Sequence, residues 1–256
     1  MTRLLEHAVA NYILARPRPG YVAHTALSAM LATTPPLMEW VGSACEDMWP
    51  AASHTVPALK KWSGDGPVLQ PYQTGHNLAE RTDVPFFETI REDPERARRF
   101  AGAMSFMQNM PGFQPTAALD AYDWGAVSSA SDAPVVVDVG GSRGDFAFAL
   151  TERYPSLHVV VQDIPEVVEQ GRAILENRAG SSHVEFQAHD FFGPQPVQGA
   201  DAYSLRMILH DWPDEFCLKI IRNIVPALKS GARLIINDHC ISSTEGISLY
   251  QERQAR

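Results

Sequence analysis

Val135-Val-Val-Asp-Val-Gly-Gly-Ser-Arg-Gly144, followed by Val160-Val-Gln-Asp163, is the stretch that decides the fold. Val135 to Val139 is a β-branched run, the pattern of a strand covered on both faces in a parallel sheet. Gly140, Gly141 and Gly144 then let the backbone turn sharply and approach a ligand closely. Asp145 is expected to cap a helix begun by Phe146, Ala149 and Leu150 and ended by Tyr154-Pro155. The second strand, Val159 to Val161, leaves Asp163 at its carboxyl end, where open α/β sheets bind ligands. A carboxylate at that place can accept both ribose hydroxyls of a nucleoside.

NAD and S-adenosylmethionine both carry such a ribose, so the spacing by itself leaves both open. The dinucleotide fingerprint Gly-x-Gly-x-x-Gly fails in register from either Gly140 or Gly141. Asp138-x-Gly140-x-Ser142-x-Gly144 fits the acidic, glycine-spaced form of S-adenosylmethionine sites, with serine at the middle glycine. Glycine-rich strand-to-helix turns also occur in many α/β proteins without a nucleoside.

Three later segments point the same way. A third strand near Val184 to Ala188 precedes His189-Asp190-Phe191-Phe192, where Asp190 could accept from an adenine amino group and Phe191 could cover the ring. A fourth, Asp201 to Arg206, leads into Met207-Ile-Leu-His210-Asp211-Trp212-Pro213. A fifth, Ala232 to Asp238, again ends in a carboxylate. Five strands thereby bring polar groups to one rim.

With these segments the chain resembles the class I S-adenosylmethionine-dependent O-methyltransferases of the plant caffeic acid type, most closely their fungal and polyketide-pathway relatives. The resemblance rests on VVVDVGGSRG (135–144), VVQDIP (160–165), AHDFFGPQPV (188–197), ADAYSLRMILHDWPDE (200–215) and ALKSGARLIIND (227–238). GYVAHTALS (20–28), YQTGHNLAE (72–80) and DPERARRFAGAM (93–104) extend it over nearly the whole chain. It implies an α/β fold with a Rossmann-like sheet, S-adenosylmethionine as cofactor, and methyl transfer to a phenolic hydroxyl of an aromatic, polyketide-like metabolite. His210 would then be the general base, Asp238 and Asp211 its acidic neighbours, and Gly140, Gly141, Asp163, Asp190, Phe191 and Arg206 the cofactor contacts. Histidine suits that task, because imidazole titrates near neutral pH and can accept a phenol's proton. Met104, Met107 and Trp212 become candidate walls for a flat substrate. Read without the resemblance, His210 merely precedes a helix whose first turn carries Asp214 and Glu215, Arg206 is a solvated strand-end charge, and the methionines are ordinary packing.

Composition narrows the class further. The chain has 256 residues, 45% apolar and 20% charged, enough to bury a sizeable core. A net charge of -9 argues against a nucleic-acid surface. No apolar run is long enough to cross a bilayer, Glu6 and His7 interrupt any signal-peptide core, and the cytoplasm is the expected location. Cys45, Cys217 and Cys240 show no metal-ligand spacing, so no metal is expected and the thiols are taken as reduced and buried.

Residues 1–33 read as part of a winged-helix dimerisation unit: a helix over 3–15 running into an extended piece, a turn at Arg16-Pro-Arg-Pro-Gly20, then Tyr21 to Thr25. Residues 34–130 read as a helical substrate-pocket and linker region. Within it, Asp93-Pro94 should open a helix with Ala97, Phe100, Ala101, Met104 and Met107 on one face, stopped by Pro111-Gly112. Residues 131–256 read as the cofactor domain. Five of the family's seven strands are visible, so the chain is expected to be truncated at both ends, its fifth strand exposing an edge at Leu234, Ile235 and Ile236. On that expectation it would be poorly soluble or inactive, while full-length relatives form homodimers. Two other functions stay open: a catalytically silent cofactor-binding scaffold, and a decarboxylase or hydroxylase on the same fold.

Overall fold

The computed structural model describes residues 2–64, 70–110, 112–178 and 182–238. Their contacts divide the chain into two compact units, Met1–Phe113 and Gln114–Arg256.

The first unit opens with a helix, Thr2–Ala10, and a short antiparallel ladder of β1 (Leu14–Ala15) with β2 (Ala23–His24). Thr25 and Ser28 cap the next helix, Ala26–Thr33, each side chain accepting from the other's backbone N–H. Helix Pro35–Ser43 continues into a five-residue π turn, Ala44–Met48. Asp47 in that turn is buried, and it accepts from the Ser43 hydroxyl at 2.9 Å and from Arg96 Nε at 2.5 Å. Burying a carboxylate is unfavourable unless it is paired and hydrogen-bonded, and Asp47 is both. Arg96 belongs to helix Pro94–Gln108, which packs along Pro35–Ser43. Asp93 caps it as the sequence predicts, accepting from the N–H groups of Glu95 and Arg96. Ala103 is the residue this helix buries completely, whereas Ala97, Phe100, Ala101, Met104 and Met107 are half-buried. Pro111 falls outside the described residues.

In the second unit the β-branched runs become β3 (Val135–Val139), β4 (His158–Asp163), β5 (Val184–Ala188), β6 (Ala202–Arg206) and β7 (Arg233–Asn237). All pair in parallel, in the order β5-β4-β3-β6-β7. The chain steps outward from β3 through β4 to β5, then crosses to β3's other side, which makes the β3/β6 boundary a topological switch point. Side chains alternate between the two faces. Val136, Val159, Val161, Ala202 and Ile235 join Trp124, Phe146 and Leu150 on one side. Val137, Val139, Tyr203 and Leu205 join Ile220 and Ile224 on the other.

Two expectations are corrected, the Asp145 cap and the buried thiols. Gly144, in a left-handed conformation at φ +84°, is the cap position, and Asp145 is the first residue of helix Asp145–Arg153. Asp145 caps nothing with its side chain, although its charge still suits the helix amino end. Within the second contact-defined unit, which begins at Gln114, Trp124 and Val127 are buried against the sheet and the Trp124 ring meets Phe146 edge-on at 5.5 Å. Cys45 is exposed, since the π turn that faces Asp47 inward leaves this residue outside, and Cys217 is half-buried. Cys240 lies outside the described residues. Among the described residues β7 is an outer strand: Ile235 is buried, Leu234 half-buried and Ile236 exposed.

If segment 114–130 is core rather than linker, Trp124→Ala should destabilise the second unit by about 3–5 kcal/mol, as truncating a buried aromatic does. Urea unfolding followed by far-ultraviolet circular dichroism measures it. A loss below about 1 kcal/mol would return the segment to linker status.

Candidate functional site

The carboxyl ends of β3 and β4 are tied together before any ligand is considered. The Gln162 carbonyl accepts from Gly140 N at 2.7 Å and from Gly141 N at 3.1 Å. Asp163 Oδ2 accepts from Ser142 N at 2.9 Å, and Oδ1 from Ile164 N at 2.8 Å. Gly140, at φ +72°, has no room for a side chain: an added Cβ would come within 2.4 Å of Ile208 Cδ1. On Gly141 it would come within 2.4 Å of Asp138 Oδ2. These two glycines therefore serve close approach within the protein itself. Burial pushes the Asp163 carboxyl above its usual range, against the two N–H donors.

Phe191 reaches the same turn, its ring 3.8 Å from the position of a Gly140 Cβ. It sits in an aromatic group with Phe192 at 4.9 Å, Trp212 at 5.9 Å and, beyond them, Phe216. Trp212 packs edge-on against Phe192 at 4.7 Å and stacks on Phe216 at 6.3 Å, so much of its surface is committed to packing. Asp190 is exposed, and its Oδ1 accepts from Phe192 N at 2.9 Å.

A one-turn 3-10 segment, Leu209–Asp211, follows β6 and carries His210. Asp238, just past β7, holds it by three contacts: Oδ2 accepts from Leu209 N at 2.9 Å and His210 N at 3.2 Å, and Oδ1 lies 2.7 Å from His210 Nδ1. A carboxylate is an acceptor only, which favours the tautomer with the proton on Nδ1 and leaves Nε2 as the basic nitrogen. Asp211 Oδ1 lies 3.4 Å from that Nε2. Partial burial raises the Asp211 carboxyl, opposed by His210 and helped by Asp238. The Cys217 thiol contacts the Leu209 and Trp212 carbonyls at 3.3 and 3.2 Å, at the two ends of the same turn.

Arg206 is half-buried, its guanidinium 5.9 Å from the centre of the Phe146 ring. Burial lowers its pKa, opposed by Asp138 and Asp145. With Ser204, Trp124, Phe146 and Asn237 it lines a cavity of about 120 Å³. Asp138 is paired in register with Ser204 and so shares its face of the sheet. That carboxyl is 1% exposed, neither oxygen has a hydrogen-bond partner among the described residues, and burial pushes it up to about 7, with Arg206 opposing and Asp163 adding to the rise.

The sheet rim therefore gathers Gly140, Gly141, Asp163, Asp190, Phe191, Arg206, His210, Asp211, Trp212 and Asp238 within the second unit. Met104 and Met107 belong to the first. Sequence reasoning missed the supports: the Gln162 carbonyl, Ser142 at φ +53°, Ile208 over Gly140, and Cys217. Backbone hydrogen bonds leave no residue-type signature, and only a polar Gln162 inside an apolar strand could have marked its place.

A model of the O-methyltransferase domain matches residues 66–253. The chain belongs to that family. It is 38% identical to the chlorophenol O-methyltransferase of Trichoderma longibrachiatum, over 100% of this chain and 54% of that protein. Among solved structures it is similar to LepI in complex with SAM, at 27% identity and a TM-score of 0.75 over 99% of this chain and 63% of that one. The mitomycin 7-O-methyltransferase MmcR is likewise 27% identical, with a TM-score of 0.75 over 94% of this chain and 66% of that one. The chain thus spans about half the length of the curated relative it matches.

Asp138 gives this O-methyltransferase-family sheet a pH signature. Its folded pKa lies above the unfolded one, so its contribution to stability is present below about pH 4 and is lost as pH rises through about 7. Asp138→Asn should gain on the wild type by on the order of 3–4 kcal/mol between pH 4 and pH 8. Urea midpoints across that range test it, and parallel curves would show an ordinary carboxylate.

Proposed function

We propose that this protein is an S-adenosylmethionine-dependent O-methyltransferase acting on the phenolic hydroxyl of an aromatic secondary metabolite, with His210 as general base. The observation that carries this is the His210–Asp238 pair, set beside the glycine turn at the β3/β6 switch point. The residues present suit the cofactor. Each Asp163 oxygen accepts one backbone N–H and keeps acceptor capacity for a ribose hydroxyl. Gly140 and Gly141 keep the turn free of side chains, Phe191 offers an aromatic face, Asp190 an acceptor for an adenine amino group, and Arg206 a cation nearby.

When bound, the cofactor supplies an electrophilic methyl group. The chain's own task is to present a deprotonated oxygen in line with it. His210 Nε2 takes the phenol proton, while Asp238 fixes the ring through Nδ1 and stabilises the imidazolium that forms. Asp211, 3.4 Å from Nε2, adds to that stabilisation. A phenol titrates about 3.5 units above imidazole, so transfer needs the reacting geometry and not the histidine alone. The relative named for chlorophenol supports a phenolic acceptor. Met104, Met107 and Trp212 are proposed as acceptor-pocket residues.

Transfer of a labelled methyl group to a chlorophenol tests the assignment. His210→Ala should lower kcat by about 10²- to 10⁴-fold with cofactor affinity unchanged, and Asp238→Asn should lower it by at least about tenfold. An unchanged rate in His210→Ala removes the histidine from the chemistry. Cofactor binding without turnover in the wild type would favour a silent binding protein.

A further inference from the structure

Most acidic groups near the rim have visible duties. Asp163 receives two backbone N–H groups, Asp190 one, and Asp238 two together with an imidazole. Asp138 has none of these: it is buried, and among the described residues neither of its oxygens has a hydrogen-bond partner. A buried carboxylate left in that state would be strongly unfavourable, whereas a buried carboxylic acid is tolerable. Its position is also particular. It lies directly beneath the turn, with Oδ2 at the place where a Gly141 side chain would go, and it shares a face with Ser204 of the cavity wall.

We propose that Asp138 is a proton-exchanging group of the cofactor site, a neutral acid in the empty protein and a carboxylate once a cationic ligand occupies the glycine turn. The inference rests on the S-adenosylmethionine reading above and adds a linkage between cofactor binding and proton release. The charged groups acting on Asp138 are Arg206, from β6, and Asp163, at the end of β4. They act in opposite directions, and Asp145 acts on Arg206 in turn. The carboxyl, pushed up to about 7, is therefore poised where a modest change in field moves its proton. A positive charge nearby lowers a carboxyl's pKa by about 1–3 units. S-adenosylmethionine brings a sulfonium and an ammonium charge. A shift of about two units would release about half a proton per ligand at pH 7 and about 0.8 at pH 6. Affinity would fall about fivefold from pH 7 to pH 6. The ligand's own α-amino group titrates near 8, so measurements at pH 7 and below isolate the protein's proton.

Calorimetric titration of the full chain with S-adenosylmethionine, in buffers of low and high ionisation enthalpy, counts the protons. Release of that size in the wild type, together with its loss and a flat affinity between pH 6 and 7 in Asp138→Asn, is the expected result. Binding without proton release in the wild type overturns the proposal, as does release that persists in Asp138→Asn. Failure of the wild type to bind at all is distinct, because it removes the cofactor reading and this inference with it. Should the variant not fold, a carboxyl-carbon NMR titration of the wild type decides. Asp138 must titrate near neutrality when empty and remain ionised over the same range with S-adenosylmethionine, and a normal acidic midpoint in the empty protein refutes the idea.

Discussion

The pairing of β3 with a strand on each side is the constraint on which the site depends. Held by β4 and β6, β3 cannot shift register without moving every side chain to the wrong face. Its end therefore has a fixed height, and the glycine turn is anchored there through the Gln162 carbonyl. The same pairing sets where β6 stops, and hence where the His210 turn begins. Asp238 joins that turn to the end of β7 across 28 residues of chain. The glycine turn, Asp163 and His210 are thus placed by backbone pairing, with side chains adding the final orientation.

Acidic residues in this region illustrate how environment divides one chemical type into several roles. Asp238 spends its acceptor capacity on two N–H groups and an imidazole. Asp163 clamps the turn and retains capacity for a ligand. Asp138 is buried with no hydrogen-bond partner among the described residues, the condition that favours the neutral form. Asp47, in the first unit, solves the same problem differently, with an arginine and a serine hydroxyl.

Strand positions were legible in the sequence because continuous β-branched runs have few other uses, and all five central strands lie within a residue or two of their expected bounds. Placing Asp163 and Asp238 at strand ends followed from that directly. The pairing of His210 with Asp238 followed only from family resemblance, since no local spacing links residues so far apart. Errors arose where tertiary packing overrode local pattern. Asp145 looked like a cap until Gly144 took the left-handed position, and Cys45 looked like a buried thiol although the π turn leaves it outside. The positive φ of Ser142 was signalled only by its place at a glycine position of the motif, while the two carbonyls met by Cys217 had no sequence signal, because backbone geometry there is imposed by neighbours.

Ile208 occupies the space that a side chain on Gly140 would need, two residues before the imidazole. The glycine turn and the segment that carries His210 are consequently packed against one another. Neither can relax far alone. A side chain added at Gly140 would therefore have to displace Ile208 and, with it, the backbone that leads into the imidazole.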